Sequence, residues 1–319
     1  MTKADFDFLS CDWGTSSFRL RWVSGSGRNI VREIREAAGV KALYEEATRG
    51  GATNEANRAT LFAGFLRAKL EALFTNEDRP TRPLPLVISG MASSSIGWRE
   101  LPYAKMPFPL DGSALYSEEL SWSKPDGVGP TYLISGIANE YEMMRGEETE
   151  ILGLMSAPEL ASLRKRCLLV LPGTHSKHVW IENEQVVALQ TFMTGELFEV
   201  LGRQSLLRAS VDVNAAHGSE LFGGAGRAAF KEGVLCARER GLAGGLFRVR
   251  TRAVLGRVPL PENTWFFSGL LIGAELDHIG RNGRVVLAAT GRLSELYALA
   301  LETIEVPALT YRCGFVNRM

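Results

Sequence analysis

The chain has 319 residues, with 36 basic and 36 acidic side chains, 45% hydrophobic residues and 23% charged ones. That balance is globular and long enough for about two domains, and it excludes wholesale disorder and a large nonspecific nucleic-acid footprint. Residues 1–10 mix Lys3 with Asp5 and Asp7 and lack the apolar core of a signal peptide, and no apolar run reaches the ~18 residues of a membrane span.

In chain order, Asp5–Gly14 reads as a strand that ends in the small polar turn Thr15-Ser16-Ser17. A second strand follows, with Phe18, Leu20 and Trp22 alternating against Arg19, Arg21 and Val23. A Ser-Gly turn leads to a third strand from Ile30. Asn54–Phe74 carries apolar residues at helical spacing, Leu84–Ser89 is a strand running into Gly90, and Thr131–Gly136 is another. A helix is predicted through Met143, Met144, Ile151, Leu152 and Met155. The charged segment 156–166 marks the domain boundary, giving an N-terminal lobe over 1–163 and a C-terminal lobe over 164–319.

The second half repeats the opening. Cys167–Gly173 is a buried strand, Thr174-His175-Ser176-Lys177 a polar turn, His178–Glu182 a second strand and Val186–Phe192 a third. Gly14-Thr15-Ser16-Ser17 and Gly173-Thr174-His175-Ser176 stand at equivalent places, which points to a duplicated pair of lobes. Helices are then predicted over Gly195–Leu207, toward Leu276 and over Leu293–Leu301, with a strand Val285–Ala289 running into Gly291. Strand–helix alternation of this kind makes an α/β architecture.

Turns of Gly, Thr and Ser gather backbone N–H groups and hydroxyls into nests that bind phosphate oxygens. Asp12, at the end of the strand before the first nest, is a candidate Mg²⁺ ligand, while the matching second position is Leu171. Lys177 would add positive charge to the second nest or would be an ordinary surface lysine. No G-x-x-x-x-G-K-[ST] is present, and no G-x-G-x-x-G follows a strand, so neither a P-loop nor a Rossmann site is supported. Cys11, Cys167, Cys236 and Cys313 are scattered and form no C-x-x-C pair, which argues for reduced thiols in a cytosolic protein and against structural zinc. His175 and His178 have no acidic or thiol cluster that would make them a metal pair. Glu140, Glu142, Glu147 and Glu148 follow a strand end and supply candidate bases, and Arg145 can fork onto a carboxylate.

Over nearly its whole length the chain resembles the 2-dehydro-3-deoxygalactonokinase family, sugar-acid kinases of the actin, hexokinase and Hsp70 superfamily. The motifs are DWGTSSFRLR from Asp12, SGMASSSIGW from Ser89, MRGEETEILG from Met144, LPGTHSKHVWI from Leu171, TFMTGELFEVL from Thr191 and FSGLLIGAEL from Phe267. The resemblance implies two duplicated ribonuclease-H-like lobes flanking a nucleotide-binding cleft. It implies transfer of the ATP γ-phosphate to the 6-hydroxyl of 2-dehydro-3-deoxy-D-galactonate, with Mg²⁺. The two phosphate sites would be Gly14, Thr15, Ser16 and Ser17, and Gly173, Thr174, His175, Ser176 and Lys177. Gly269, Gly273 and Gly291 would back the adenosine, and Asp12 would hold the metal. Ser93, Trp98, Lys105, Arg145 and Glu148 would meet the substrate, with Glu147 or Glu142 as base.

Ser95 stands where the family pattern has an Arg, and Glu142 where it has an Asp. If that Arg anchors the substrate carboxylate, then Arg145, Arg99 or Lys105 must replace it, or the acceptor differs. Three readings stay open: this kinase, a kinase of another sugar acid, and a catalytically silent nucleotide-binding regulator. The expected partner is a small molecule, with no nucleic acid or membrane, and the protein would be a monomer or homodimer.

Overall fold

Alternation along β1 (Phe8–Trp13) starts the first sheet, with Leu9, Cys11 and Trp13 facing the core and Asp12 the other side. The computed structural model describes residues 6–25, 29–51, 54–74, 79–214, 223–280 and 284–311. Cys313 lies outside them. The chain divides at Leu160/Ala161 into two units.

In the first unit, β1, β2 (Phe18–Val23) and β3 (Ile30–Glu36) form an antiparallel meander. Helices α1 (Val40–Arg49) and α2 (Glu55–Leu73) follow, and the Asn54 side chain caps α2 by accepting from the Asn57 amide at 2.8 Å. β4 (Leu84–Gly90) then pairs parallel to β1. After the short strands β5 (Ala104–Lys105), β6 (Phe108–Pro109) and β7 (Ser117–Glu119), β8 (Val128–Ile134) pairs parallel to β4. The sheet order is β3-β2-β1-β4-β8-β7. Two more short strands, β9 (Ile137–Ala138) and β10 (Met143–Met144), pair in a small sheet with β5, and α3 (Glu147–Met155) ends the unit.

The second unit repeats the path. β11 (Arg166–Leu171), β12 (Ser176–Glu182) and β13 (Gln185–Phe192) make the meander. Helices α4 (Thr194–Gln204), α5 (Gly224–Val254) and α6 (Leu260–Leu276) come next. β14 (Val285–Ala288) runs parallel to β11, then α7 (Gly291–Thr303) leads to β15 (Ala308–Tyr311), parallel to β14. The orders β3-β2-β1-β4-β8 and β13-β12-β11-β14-β15 are one topology used twice, the ribonuclease-H-like α/β duplication that the repeated turns indicate.

Two sequence expectations change, and one helix lies outside them. Met143 and Met144 are extended, not helical, because Gly146 at φ +112° breaks the backbone before α3. Arg21 is buried on β2 at 1% exposure, its Nε on Glu33 at 2.6 Å, while Trp22 is half-buried and donates its indole N–H to Asp7 at 3.0 Å. The long α5 escapes periodicity because glycines interrupt it, and Gly241 is non-helical at φ 66°.

Around Trp13 the first core is aromatic, with Phe18 and Phe62 at 5.0 Å and Phe65 at 5.5 Å between ring centroids. In the second unit α6 is buried nearly all round and packs on α5 through glycine. A Cβ at Gly269 would stand 2.1 Å from the Phe230 carbonyl oxygen, and one at Gly273 would stand 2.7 Å from the Val234 Cα. Among the described residues no helix is long and apolar enough to cross a membrane.

Candidate active site

In an α/β sheet the carboxyl ends of the parallel strands are where ligands bind. At that end of the first sheet, Asp12 and Trp13 of β1 lie beside Ser89 and Gly90 of β4. The turn after β1 closes through Gly14 N–H to the Ser17 carbonyl at 2.8 Å, leaving Thr15 and Ser16 exposed at its tip. The start of α1 is pinned beneath it, Val40 N–H donating to the Gly14 carbonyl at 2.9 Å and Lys41 N–H to that of Thr15 at 3.1 Å. Gly39 is required there, since a Cβ would fall 2.2 Å from the Thr15 carbonyl oxygen.

Asp12 is half-exposed and its one described ion pair is with Arg19, at 3.3 Å. Glu150, one turn along α3 from Glu147, lies within electrostatic reach of both Asp12 and Glu147. Burial first, then Glu147 and Asp12, push its carboxyl up to about 7. The sequence reading passed over Glu150. The signal for it was the i, i+3 spacing from Glu147, which puts both on one helix face.

The other acidic candidates sit differently. Glu147 accepts from the Arg145 amide at 3.2 Å, across the start of its own helix. Glu142 belongs to the turn before β10, where its amide donates to Asn139 Oδ1 at 2.7 Å. Glu148 is 1% exposed and folds back onto the Gly146 amide at 2.6 Å, so it is an interior group of the helix start, not one open to a ligand. Burial pushes its carboxyl up to about 8, with Glu147 adding to the shift.

A folded-state value above the ordinary 4.5 means that the native protein holds a proton the unfolded chain has lost. The Glu148 contribution is therefore full below about 4.5 and is lost as pH rises through about 8. Glu148→Gln is expected to flatten the fall in Tm over that window, as measured by thermal melts. Parallel loss in both proteins would show that Glu148 is not its source.

Of the expected substrate groups, Ser93 is fully buried, and Arg145 Nη1 donates to its hydroxyl and its carbonyl, both at 2.5 Å. Arg145 Nη2 reaches the Leu101 carbonyl at 3.2 Å, and the guanidinium lies over the Tyr103 ring. Its two terminal nitrogens are engaged there, while Nε is buried without a hydrogen-bond partner among the described residues. Trp98 is a core residue at 4% exposure, stacked edge-on with Trp122. Arg99 pairs with Glu55 and Glu118, and Lys105 is exposed on β5. The cation beside Ser95 is Arg58 of α2, which donates to the Ser95 carbonyl at 3.3 Å.

In the second unit, Gly173 N–H donates to Ser176 Oγ at 3.3 Å, and Thr174 and His175 are exposed at the tip. The start of α4 presses against this turn. Glu196 N–H donates to the Thr174 carbonyl at 3.1 Å, His175 pairs with the Glu196 carboxylate at 2.5 Å, and a Cβ at Gly195 would meet the Thr174 Cα at 2.7 Å. A helix N-terminus beside a glycine turn is suited to anions. Leu171, the counterpart of Asp12, is buried. Lys177 is 6% exposed, with Nζ on Thr191 Oγ1 at 3.2 Å, so it is not a surface lysine. His178 is fully buried whereas His175 is exposed, and among the described residues no group of three His, Cys, Asp or Glu could hold a metal.

A cavity of about 420 Å³ adjoins this turn, lined by Gly173, Thr174, Gly195, Trp265, Ser268 and Tyr297, among others. That volume suits a small ligand. Gly269 and Gly273 are not in its lining, because they occupy the face of α6 that meets α5. Gly291, at φ +57°, precedes the lining residues Arg292 and Leu293. A larger crevice of about 790 Å³ opens beside Lys165 and Arg166, at the opposite end of β11 from the turn.

A family model described as 2-keto-3-deoxy-galactonokinase matches residues 12–314. A Rhizobium meliloti protein assigned as a 2-dehydro-3-deoxygalactonokinase is 34% identical, over 95% of this chain and 91% of its own length. The Escherichia coli 2-dehydro-3-deoxygalactonokinase is 28% identical over 93% and 90%. A crystal structure assigned to the same kinase from Sinorhizobium meliloti superposes with a TM-score of 0.74 at 30% identity, covering 95% of this chain and 91% of that one.

Proposed function

The chain belongs to the 2-keto-3-deoxy-galactonokinase family, and from that premise we infer that it is an ATP-dependent kinase that phosphorylates 2-dehydro-3-deoxygalactonate in galactonate catabolism, in the cytoplasm. The γ-phosphate goes to the 6-hydroxyl. The observation that carries this reading is the repeated topology with a glycine turn at the same place in each unit. The Gly14–Ser17 and Gly173–Ser176 turns bind phosphates through tip amides and the exposed hydroxyls of Thr15, Ser16 and Thr174. The 420 Å³ cavity takes the nucleoside.

Asp12, Glu147 and Glu150 concentrate negative charge at the first turn. A field of that sign suits Mg²⁺, an ion commonly held by one or two carboxylates with phosphate oxygens and water. Asp12 is the residue that would hold it, and the ion supplies charge neutralisation of the transferring phosphoryl group. Glu150 accepts the proton of the acceptor hydroxyl. Lys105, exposed on β5, is the cation that meets the acceptor's carboxylate.

The test is ADP release with MgATP and 2-dehydro-3-deoxy-D-galactonate, run beside its C4 epimer. Acceptor-dependent release with the galactonate compound is expected. Turnover only with another sugar acid would move the assignment to the second reading. ATP binding without turnover on any acceptor would leave a regulator.

A further inference from the structure

We infer that Tyr297 and Glu275 are positioning residues that hold the second glycine turn in its phosphate-binding shape. The inference rests on the nucleotide reading of that turn. Behind it runs a buried chain of hydrogen bonds. Gly173 N–H donates to Ser176 Oγ at 3.3 Å, Ser176 Oγ lies 2.9 Å from Tyr297 Oη, and Tyr297 Oη donates to Glu275 Oε2 at 2.6 Å. Ser176 is fully buried, and Tyr297 and Glu275 are 1% and 2% exposed.

The direction of the chain follows from proton count. Glu275 Oε2 also accepts from Thr194 Oγ1, so it is an acceptor twice over. Tyr297 has a single hydroxyl hydrogen, and that hydrogen is committed to Glu275. Ser176 must therefore donate to Tyr297, which leaves its lone pairs for the Gly173 amide. Burial and the Glu275 carboxyl both push the Tyr297 phenol up, so it keeps its hydrogen. The other carboxyl oxygen, Oε1, meets His178 Nε2 at 2.9 Å, and His178 Nδ1 lies 3.2 Å from His278.

One carboxyl thus fixes both sides of the turn. It fixes the Ser176 end through Tyr297, and it fixes the start of α4, whose Gly195 presses on Thr174, through Thr194. A buried network of this kind is rigid only while every member is satisfied. Glu275 does not line the 420 Å³ cavity, so its effect on a nucleotide there passes through the turn. Tyr297 does line it, so a direct contact must be separated from a positioning role.

The experiment is calorimetric titration of the full chain and of Tyr297→Phe, Ser176→Ala and the double variant, with MgADP and with adenosine. Tyr297→Phe should raise the Kd for MgADP about tenfold while leaving adenosine within about twofold, since losing one buried hydrogen bond disturbs the phosphate turn and not the nucleoside. The KM for the sugar acid should not move. Ser176→Ala should reproduce the effect and the double variant add nothing, because both break one chain. Unchanged MgADP affinity in Tyr297→Phe, equal loss for adenosine, or additive losses in the double variant would each overturn the inference. Absence of MgADP binding by the unaltered chain would overturn the nucleotide reading itself and the inference with it.

Discussion

Asp12→Asn is expected to lower kcat by about 10²–10³ while the protein stays folded, the usual cost of removing one preorganised electrostatic partner of a transition state. The side chain ends β1 on the face away from the core, and its one described ion pair, with Arg19, is half-exposed and contributes little to stability. The substitution keeps the shape and removes the charge. It also removes one of the charges that raise Glu150, so the residual activity should keep its acid limb at lower pH than in the unaltered enzyme. Steady-state kinetics with a thermal melt as control would check this, and wild-type turnover would remove Asp12 from the mechanism.

Glu150→Gln should cost about 10²–10⁴ in kcat, the range that a positioned general base supplies. In the unaltered enzyme kcat/KM should fall on the acid side with a midpoint near the value of about 7 that burial and the neighbouring carboxylates impose on Glu150. The carboxylate is the active form, so the rate rises with pH through that midpoint. The Gln variant should lose this limb. Glu147→Gln should keep the limb but move it to lower pH, because Glu147 is one of the charges that raise Glu150 while its own carboxylate is engaged by the Arg145 amide. If instead Glu147→Gln abolishes the limb, the sequence-based assignment of the base to Glu147 stands.

The meanders were legible because short apolar runs, alternating in burial along Phe8–Trp13 and buried after Arg166 along Arg166–Leu171, are bounded by small-residue turns. Phe8–Trp13 and Arg166–Leu171 each run into a small-residue turn at the predicted place. The site was only partly legible, because residue type does not reveal what a side chain is already bonded to. Arg145 has the fork for a carboxylate but uses it on Ser93 and Leu101. Glu148 has the charge of a ligand but sits inside the protein, while Glu150, in the same acidic run, keeps the company of Asp12. Gly269 and Gly273 fit either an adenosine-backing role or helix packing by sequence, and their closeness to Phe230 and Val234 of α5 is the packing one. Glu275 lay inside a quoted motif, but its partners Ser176, His178, Thr194 and Tyr297 are scattered along the chain, and only the fold assembles them.

The single topology used twice sets two different tolerances to sequence drift. Where the first unit has Asp12 the second has buried Leu171, so the two copies answer to different filters. The first copy is sensitive to isosteric changes that neutralise a carboxylate and leave the fold untouched. The second is sensitive to changes of volume and hydrogen-bond inventory, at Gly195, Ser176 or Tyr297, where charge is not at issue. A saturation library scored for activity should therefore separate into two profiles. Substitutions at Asp12 and Glu150 should fail by electrostatics at normal abundance, and those at Gly195, Ser176 and Tyr297 should fail by shape.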